Sequence, residues 1–310
     1  MPIVRTDIPM TAALCGETID ALLAAYPFLR SETLTTTAFG RPVRTLVVGS
    51  GERRVLFSAA HHANEWITTP VLLKFVEELA EAIRSGGRIY GVPAANIERY
   101  VTIHTVPMVN PDGVDLVTGA IPPGTLPYAR AAGMGENYPD IPFPSGWKAN
   151  LLGVDLNLQY PAGWLQAREI KFSQGFTRPG PRDYVGRAPL NQQESRAMAE
   201  YTERVDPALV LAYHTQGQEI YWQFRDYQIF GARELAEEFG RVSGYTVADT
   251  PYQSAFAGYK DWFIQTFRRP GFTIEAGFGE NPLPLSQFDE IYRDNLGILV
   301  TAATGLPGGA

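Results

Sequence analysis

Residues 55–70 read Val-Leu-Phe-Ser-Ala-Ala-His-His-Ala-Asn-Glu-Trp-Ile-Thr-Thr-Pro. Val55 to Ala59 is a mostly apolar run, as an interior strand of a mixed or parallel sheet requires. It runs directly into His62-Ala63-Asn64-Glu65. Thr69-Pro70 then predicts a cap with proline at the first helical position, followed by an amphipathic helix to about Arg84. A histidine and a glutamate therefore sit on a strand-to-helix loop at the end of a buried strand, where open α/β sheets place their ligands. Far downstream, Ala208 to Tyr213 repeats the arrangement and ends on His214. Two imidazoles and one carboxylate, with a fourth position left to water, make a catalytic zinc site.

Working outward, Thr33 to Phe39, Val43 to Val48, Tyr100 to Val106 and Phe272 to Ile274 read as strands. Thr18 to Phe28, Asn191 to Val205, Gly231 to Gly240 and Pro284 to Thr301 read as helices. Asn110-Pro111-Asp112-Gly113 is a turn signal. Gly119 to Gly146 and Gln166 to Ala188 read as long irregular excursions. There is no internal repeat and no linker-like break, and the candidate ligands span most of the chain. The expectation is one α/β domain over residues 1–310, with 1–30 a helical lead-in and a mixed twisted sheet flanked by helices on both faces.

Bulk properties narrow the function. The formal charge is −7 over 310 residues, which argues against a nucleic-acid face. One cysteine, Cys15, cannot form an intrachain disulfide. Neither a signal peptide nor an apolar span of ~20 residues is evident, so a cytoplasmic protein is expected.

Four histidines exist: His61, His62, His104 and His214. His104 lies inside a Thr/Val strand. His61 adjoins His62, and neighbouring side chains do not converge on one ion, so His61 is expected on the pocket wall. A His and a Glu three apart are common by chance, and a lone histidine closing an apolar strand is often a core residue; position after buried strands favours ligation for His62, Glu65 and His214. Glu275 closes the apolar stretch Gly271-Phe272-Thr273-Ile274. A carboxylate there is costly unless solvated, paired or used, so it is either a structural ion pair or a general base acting on water. Asp155 has the chemistry to hold the outer nitrogen of a ligand imidazole. Lys148 is either a solvated lysine or a positive charge for an oxyanion.

Together these segments resemble the zinc carboxypeptidase superfamily from about Phe28 to the C-terminus. His62-Ala-Asn-Glu65-Trp66, Asn110-Pro-Asp-Gly113, Gly153-Val-Asp155-Leu-Asn157, His214 and Phe272-Thr-Ile-Glu275 fall in the family's order. The resemblance implies a carboxypeptidase-like fold and one Zn²⁺ held by His62, Glu65 and His214. It further implies Glu275 as general base, Asp155 orienting His62, Asn157 touching a substrate carboxylate, and Tyr252 on a loop closing over substrate. Two departures stand out. Leu158 occupies the place of the arginine that grips a peptide's C-terminal carboxylate, and Lys148 stands where an arginine serves the oxyanion.

The wording Val-Pro-Met-Val-Asn-Pro-Asp-Gly, Trp147-Lys-Ala-Asn and His214-Thr-Gln-Gly-Gln-Glu-Ile-Tyr-Trp is similar to the branch of γ-D-glutamyl-L-diamino-acid (meso-diaminopimelate) peptidases. That implies hydrolysis of the γ-D-glutamyl–diamino acid bond of cell-wall muropeptides. Because such a substrate still carries carboxylates, charge need alone gives the expectation that one or more of Arg182, Arg187 and Arg225 replaces the absent arginine. The alternatives are a conventional metallocarboxypeptidase, or a silent muropeptide-binding module; the intact ligand set with Glu275 argues against the latter. Oligomeric state is not legible.

Overall fold

The structure, a computed structural model, describes residues 2–306. Among these residues seven strands form one mixed sheet: β1 (Leu46–Val48), β2 (Arg53–Ala59), β3 (Val101–Val106), β4 (Leu209–His214), β5 (Glu219–Tyr221), β6 (Thr246–Ala248) and β7 (Gly271–Glu275), in the spatial order β6-β5-β7-β4-β2-β3-β1. The central four, β7, β4, β2 and β3, run parallel. β1 pairs antiparallel with β3, and β5 antiparallel with β7.

Alternation along the strands explains the layers. Val55, Phe57, Leu209, Leu211, Tyr213, Phe272 and Ile274 enter one core. Leu56, Val210 and Ala212 enter the other. The first face is covered by α1 (Ala12–Ala25), α2 (Thr68–Ser85), α4 (Ala232–Ser243) and α6 (Phe288–Thr304). The second is covered by α3 (Gln193–Val205) and α5 (Tyr259–Phe267). Both faces are buried, so the central strands are mostly apolar, with Ser58, Thr102, Thr105 and Thr273 among their buried polar residues, and each buried Phe or Leu side chain contributes ~1.5–3 kcal/mol. This is the expected α/β architecture, a mixed sheet between helical layers.

Several local expectations are corrected. Thr69 does not cap α2: the helix begins at Thr68, without a side-chain cap, as a continuation of a 3-10 turn at Ala63–Glu65. The Thr68 hydroxyl instead donates to Glu65 O, and Thr69 to Pro107 O, both at 2.7 Å. Asn110-Pro-Asp-Gly is not a turn but the start of a helix at Pro111–Val117, with Asn110 as its cap. Both supposed irregular excursions contain helices, Leu126–Gly135 and Trp164–Ser173.

Candidate active site

β2 ends at Ala59, and Ala60, with φ 51°, turns the chain out of the sheet. His62 and Glu65 follow on that turn. Asn110 fastens it from behind. Its amide nitrogen donates to His61 O (3.2 Å), Lys148 O (3.3 Å) and Ala149 O (3.0 Å), tying the β2 turn to the segment that carries Lys148. Gly113 is required there by close approach, since a Cβ would lie 2.5 Å from Ala149 O. β4 delivers His214, and β7 delivers Glu275 directly beside it, the two being register partners in the parallel pair.

The turn and the two strand ends converge. His62 Nδ1 lies 2.9 Å from Glu65 Oε1, His214 Nδ1 lies 2.8 Å from Glu65 Oε2, and the two Nδ1 atoms are 3.2 Å apart. One ligand atom from each of the three residues falls within 4.8 Å of the others, an arrangement able to hold a metal ion. Such spacing suits the corners of a tetrahedron around an ion at ~2.0–2.2 Å. His62 Nε2, on the far side of its ring, faces Asp155 Oδ1 at 3.1 Å. That leaves Nδ1 as the ligating nitrogen, with the ring's direction fixed by a carboxylate.

The electrostatics match a cation site. Burial alone would lower the His62 pKa, but Glu65 and Asp155 raise it to about 9. Burial opposes ionisation of Glu65, yet His62, Lys148 and His214 hold it well below its ordinary range. Burial, then the charge of Glu65, pushes Glu275 up to about 8. Burial also works against the Lys148 ammonium, but Glu65, 2.8 Å from Nζ, keeps its pKa raised. The site thus gathers anionic and proton-attracting groups around one point.

The zinc carboxypeptidase family profile matches residues 16–297.

The chain belongs to the zinc carboxypeptidase family.

It is 44% identical over 284 residues to gamma-D-glutamyl-L-diamino acid endopeptidase 1 of Lysinibacillus sphaericus, covering 91% of this chain and 69% of that protein. It is 35% identical over 283 residues to the uncharacterized protein YqgT of Bacillus subtilis (strain 168), covering 91% and 73%. The fold is shared with thrombin activatable fibrinolysis inhibitor, with TM-score 0.75 at 17% identity, covering 98% of this chain and 76% of that one. As a zinc carboxypeptidase family member the chain is a zinc-dependent metallopeptidase.

A cleft of about 540 Å³ opens over the site, lined among others by His62, Lys148, Asp155, Asn157, Leu158, His214 and Glu275. A second hollow of about 480 Å³ shares Lys148, Arg182, Tyr221 and Glu275 with it. Asn157 turns its Nδ2 towards His214 Nε2 at 3.4 Å, while its Oδ1 accepts from Tyr259 N at 3.0 Å.

Other expected residues lie elsewhere. Tyr252 is 69% exposed and packs on Phe256, off the cleft; its neighbours Thr250, Gln253 and Ser254 line the wall. His61 is no wall residue. It is fully buried beneath the site, with Nε2 facing Tyr160 Oη at 3.2 Å and its ring stacked on Tyr259. Of the three arginines only Arg182 reaches the cleft. Arg225 lies over the Phe224 and Phe256 rings, and Arg187 is exposed to solvent.

Further charged residues line the cleft beside Arg182. Lys171 Nζ pairs with Asp183 Oδ1 (2.7 Å), and Arg182 Nε with Asp183 Oδ2 (2.6 Å). Lys260 pairs with Asp261. Nothing in the local sequence distinguishes Lys171, Asp183 and Lys260 from solvated surface charges; only the tertiary fold buries them.

Proposed function

We propose that this metallopeptidase hydrolyses the amide bond between the γ-carboxyl of D-glutamate and the diamino acid of cell-wall muropeptides. The observation that carries the reading is the 44% identity to a γ-D-glutamyl-L-diamino acid endopeptidase across nearly the whole chain. The cleft is compatible with it. Leu158 offers no guanidinium for a C-terminal carboxylate, whereas Arg182 and Lys171 bring positive charge to the wall. Two hollows meeting at Lys148 and Glu275 leave room on both sides of a scissile bond.

In this reading His62 Nδ1, Glu65 and His214 Nδ1 hold one zinc ion. Bound there, zinc supplies Lewis acidity for a carbonyl oxygen and brings the pKa of water towards ~7. Asp155 holds the His62 ring through Nε2. The Glu275 carboxylate would take a proton from the attacking water and pass it to the leaving amine nitrogen. Lys148 gives one donor to Glu65 Oε1. Its other two N–H groups are available to an oxygen gaining negative charge. As a point charge it replaces the planar fork of an arginine with a less directional contact. Asn157 lies beside His214, positioned to meet a substrate polar group. Arg182 takes the carboxylate role for which Leu158 has no chemistry.

The test is hydrolysis by the zinc-loaded protein of L-Ala-γ-D-Glu-meso-diaminopimelate beside ordinary peptides. Release of free diaminopimelate is expected. Release of C-terminal residues from ordinary peptides alone would reject the reading in favour of a conventional metallocarboxypeptidase. Saturable binding without product would reject it in favour of a silent binding module.

A further inference from the structure

Arg182 stands where the cleft and the second hollow meet, lining both, as do Lys148, Tyr221 and Glu275. Only part of its guanidinium is engaged. Nε donates to Asp183 Oδ2 at 2.6 Å. Among the described residues nothing accepts from its two terminal nitrogens, and the side chain is 41% exposed. An arginine anchored through Nε presents those terminal N–H groups as a flat fork, the shape that a carboxylate meets with two parallel bonds.

The anchor is fixed from several sides. Asp183 Oδ1 pairs with Lys171 Nζ at 2.7 Å, and Asp183 N donates to Asp155 Oδ2 at 3.2 Å. Pro181 O accepts from Lys148 N at 2.7 Å and from Ala149 N at 2.9 Å, which holds the backbone of Arg182 beside that of Lys148. The two cations are near enough that Arg182 opposes protonation of Lys148. Lys171 and Arg182 share one carboxylate, so their cluster carries one more positive charge than negative.

The sides of the site differ. Asn157 and Leu158 line the larger cleft and not the second hollow. The leaving residue, whose carboxylate a guanidinium at 158 would face, therefore belongs in the larger cleft, and the acyl group in the second hollow. The cations lining that hollow are Lys148 and Arg182, and Lys148 is already bonded to Glu65. A γ-linked glutamate differs from an ordinary α-linked residue in carrying a free carboxylate on the acyl side. That group is four bonds from the scissile carbonyl carbon, roughly 5 Å when extended.

We propose that the Arg182 fork reads the α-carboxylate of the γ-linked D-glutamyl residue, so that the enzyme discriminates muropeptides with this carboxyl free from those in which it is amidated. The proposal rests on the γ-D-glutamyl–diamino acid reading above. An ordinary α-linked peptide has no charge at that place. D-isoglutamine keeps the γ-linkage and the shape, but its NH2 group meets the guanidinium donor to donor.

The experiment measures kcat/KM of the zinc-loaded enzyme on three substrates. These are L-Ala-γ-D-Glu-meso-diaminopimelate, its D-isoglutamine counterpart, and the first extended by D-alanine, which masks the carboxylate next to the scissile nitrogen. The wild type should be at least ~10-fold slower on the isoglutamine peptide than on the first. Arg182→Gln should lose ~10-fold or more on both D-glutamate substrates and little on the isoglutamine one, at unchanged zinc content. Should Arg182→Gln not fold, Arg182→Lys keeps the charge without the fork, and the same selective loss is expected in smaller measure. A wild-type preference short of tenfold would overturn the assignment. So would losses on the first two substrates with the extended one spared, which would give Arg182 to the leaving residue, and so would equal losses on all three, which would make its role structural. Failure of the wild type to cut any of the three would overturn the underlying reading instead.

Discussion

Glu194 offers a perturbation whose size follows from the structure. It lies in the first turn of α3, almost fully buried, against Asn150 Nδ2 and close to Gln192. Asn150 in turn accepts from Leu152 N and Val154 N at 3.1 Å, shaping the turn between Lys148 and Asp155. Burial, with a smaller push from Asp112, raises the Glu194 pKa from 4.5 to about 7. The folded carboxyl holds its proton to higher pH than the unfolded chain does. Its contribution to stability is full below pH 4.5 and is lost as pH rises through 7. A separation of about 2.5 pH units at ~1.4 kcal/mol each corresponds to about 3 kcal/mol. Glu194→Gln keeps the shape and removes the titration. Urea unfolding of both proteins between pH 4 and 8 should show the variant gaining on the wild type with rising pH, by about 3 kcal/mol in total and mostly between pH 5 and 7. Other groups titrate alike in both proteins and cancel in the difference. A difference that stays flat across this range would show that Glu194 is ionised in the fold and that the reasoning about its burial is wrong.

Further outcomes concern the site. Glu275→Gln should retain zinc by metal analysis and lose ~10²–10⁴-fold in kcat on the muropeptide substrate; a loss below tenfold would remove Glu275 from the proton-transfer role. Asp155→Asn leaves His62 without its carboxylate partner, and zinc affinity measured by competition with a chelator should fall ~10–100-fold; unchanged affinity would mean that the ring is held by packing alone. Tyr252→Phe should alter kcat/KM by less than about twofold, because the side chain stands off the cleft and is largely exposed; a tenfold loss would show that the loop swings inward during turnover.

What the sequence made legible depends on how far a residue's role is set by its near neighbours. Val55 to Ala59, broken only by Ser58, and Ala208 to Tyr213 are largely apolar runs because the sheet is covered on both faces, so the ends of β2 and β4, and with them His62, Glu65 and His214, are readable. Glu275 follows from the same rule at β7. β5 and β6 are three residues each at one side of the sheet, too short to carry a pattern. The helices at Leu126–Gly135 and Trp164–Ser173 are weakly amphipathic and interrupted or flanked by Gly and Pro, so they read as loop. Lys171, Asp183 and Lys260 look solvated in one dimension, since nothing within a few residues reveals the wall that buries them. Tyr252 is the opposite case: family order implied a substrate-facing tyrosine, and local packing on Phe256 turns it away.

The segment from Lys148 to Asp183 links two functions through backbone as well as side chains. Asp155 Oδ1 faces His62 Nε2, and its Oδ2 accepts from Asp183 N at 3.2 Å. Asp183 is also the carboxylate shared by Lys171 and Arg182. The group that orients a zinc ligand is therefore bonded to the residue that positions the cations of the cleft wall. Under the proposed function, Lys171 and Arg182, the cations that would meet substrate charge, are anchored on the same strap that faces His62. A displacement of Arg182 large enough to change carboxylate recognition would pull on Asp183, and through its amide on Asp155. The proposed carboxylate site and the proposed metal site would thus share one hydrogen-bonded strap, whereas a guanidinium at 158 would have sat on the 3-10 turn itself, one residue beyond Asn157.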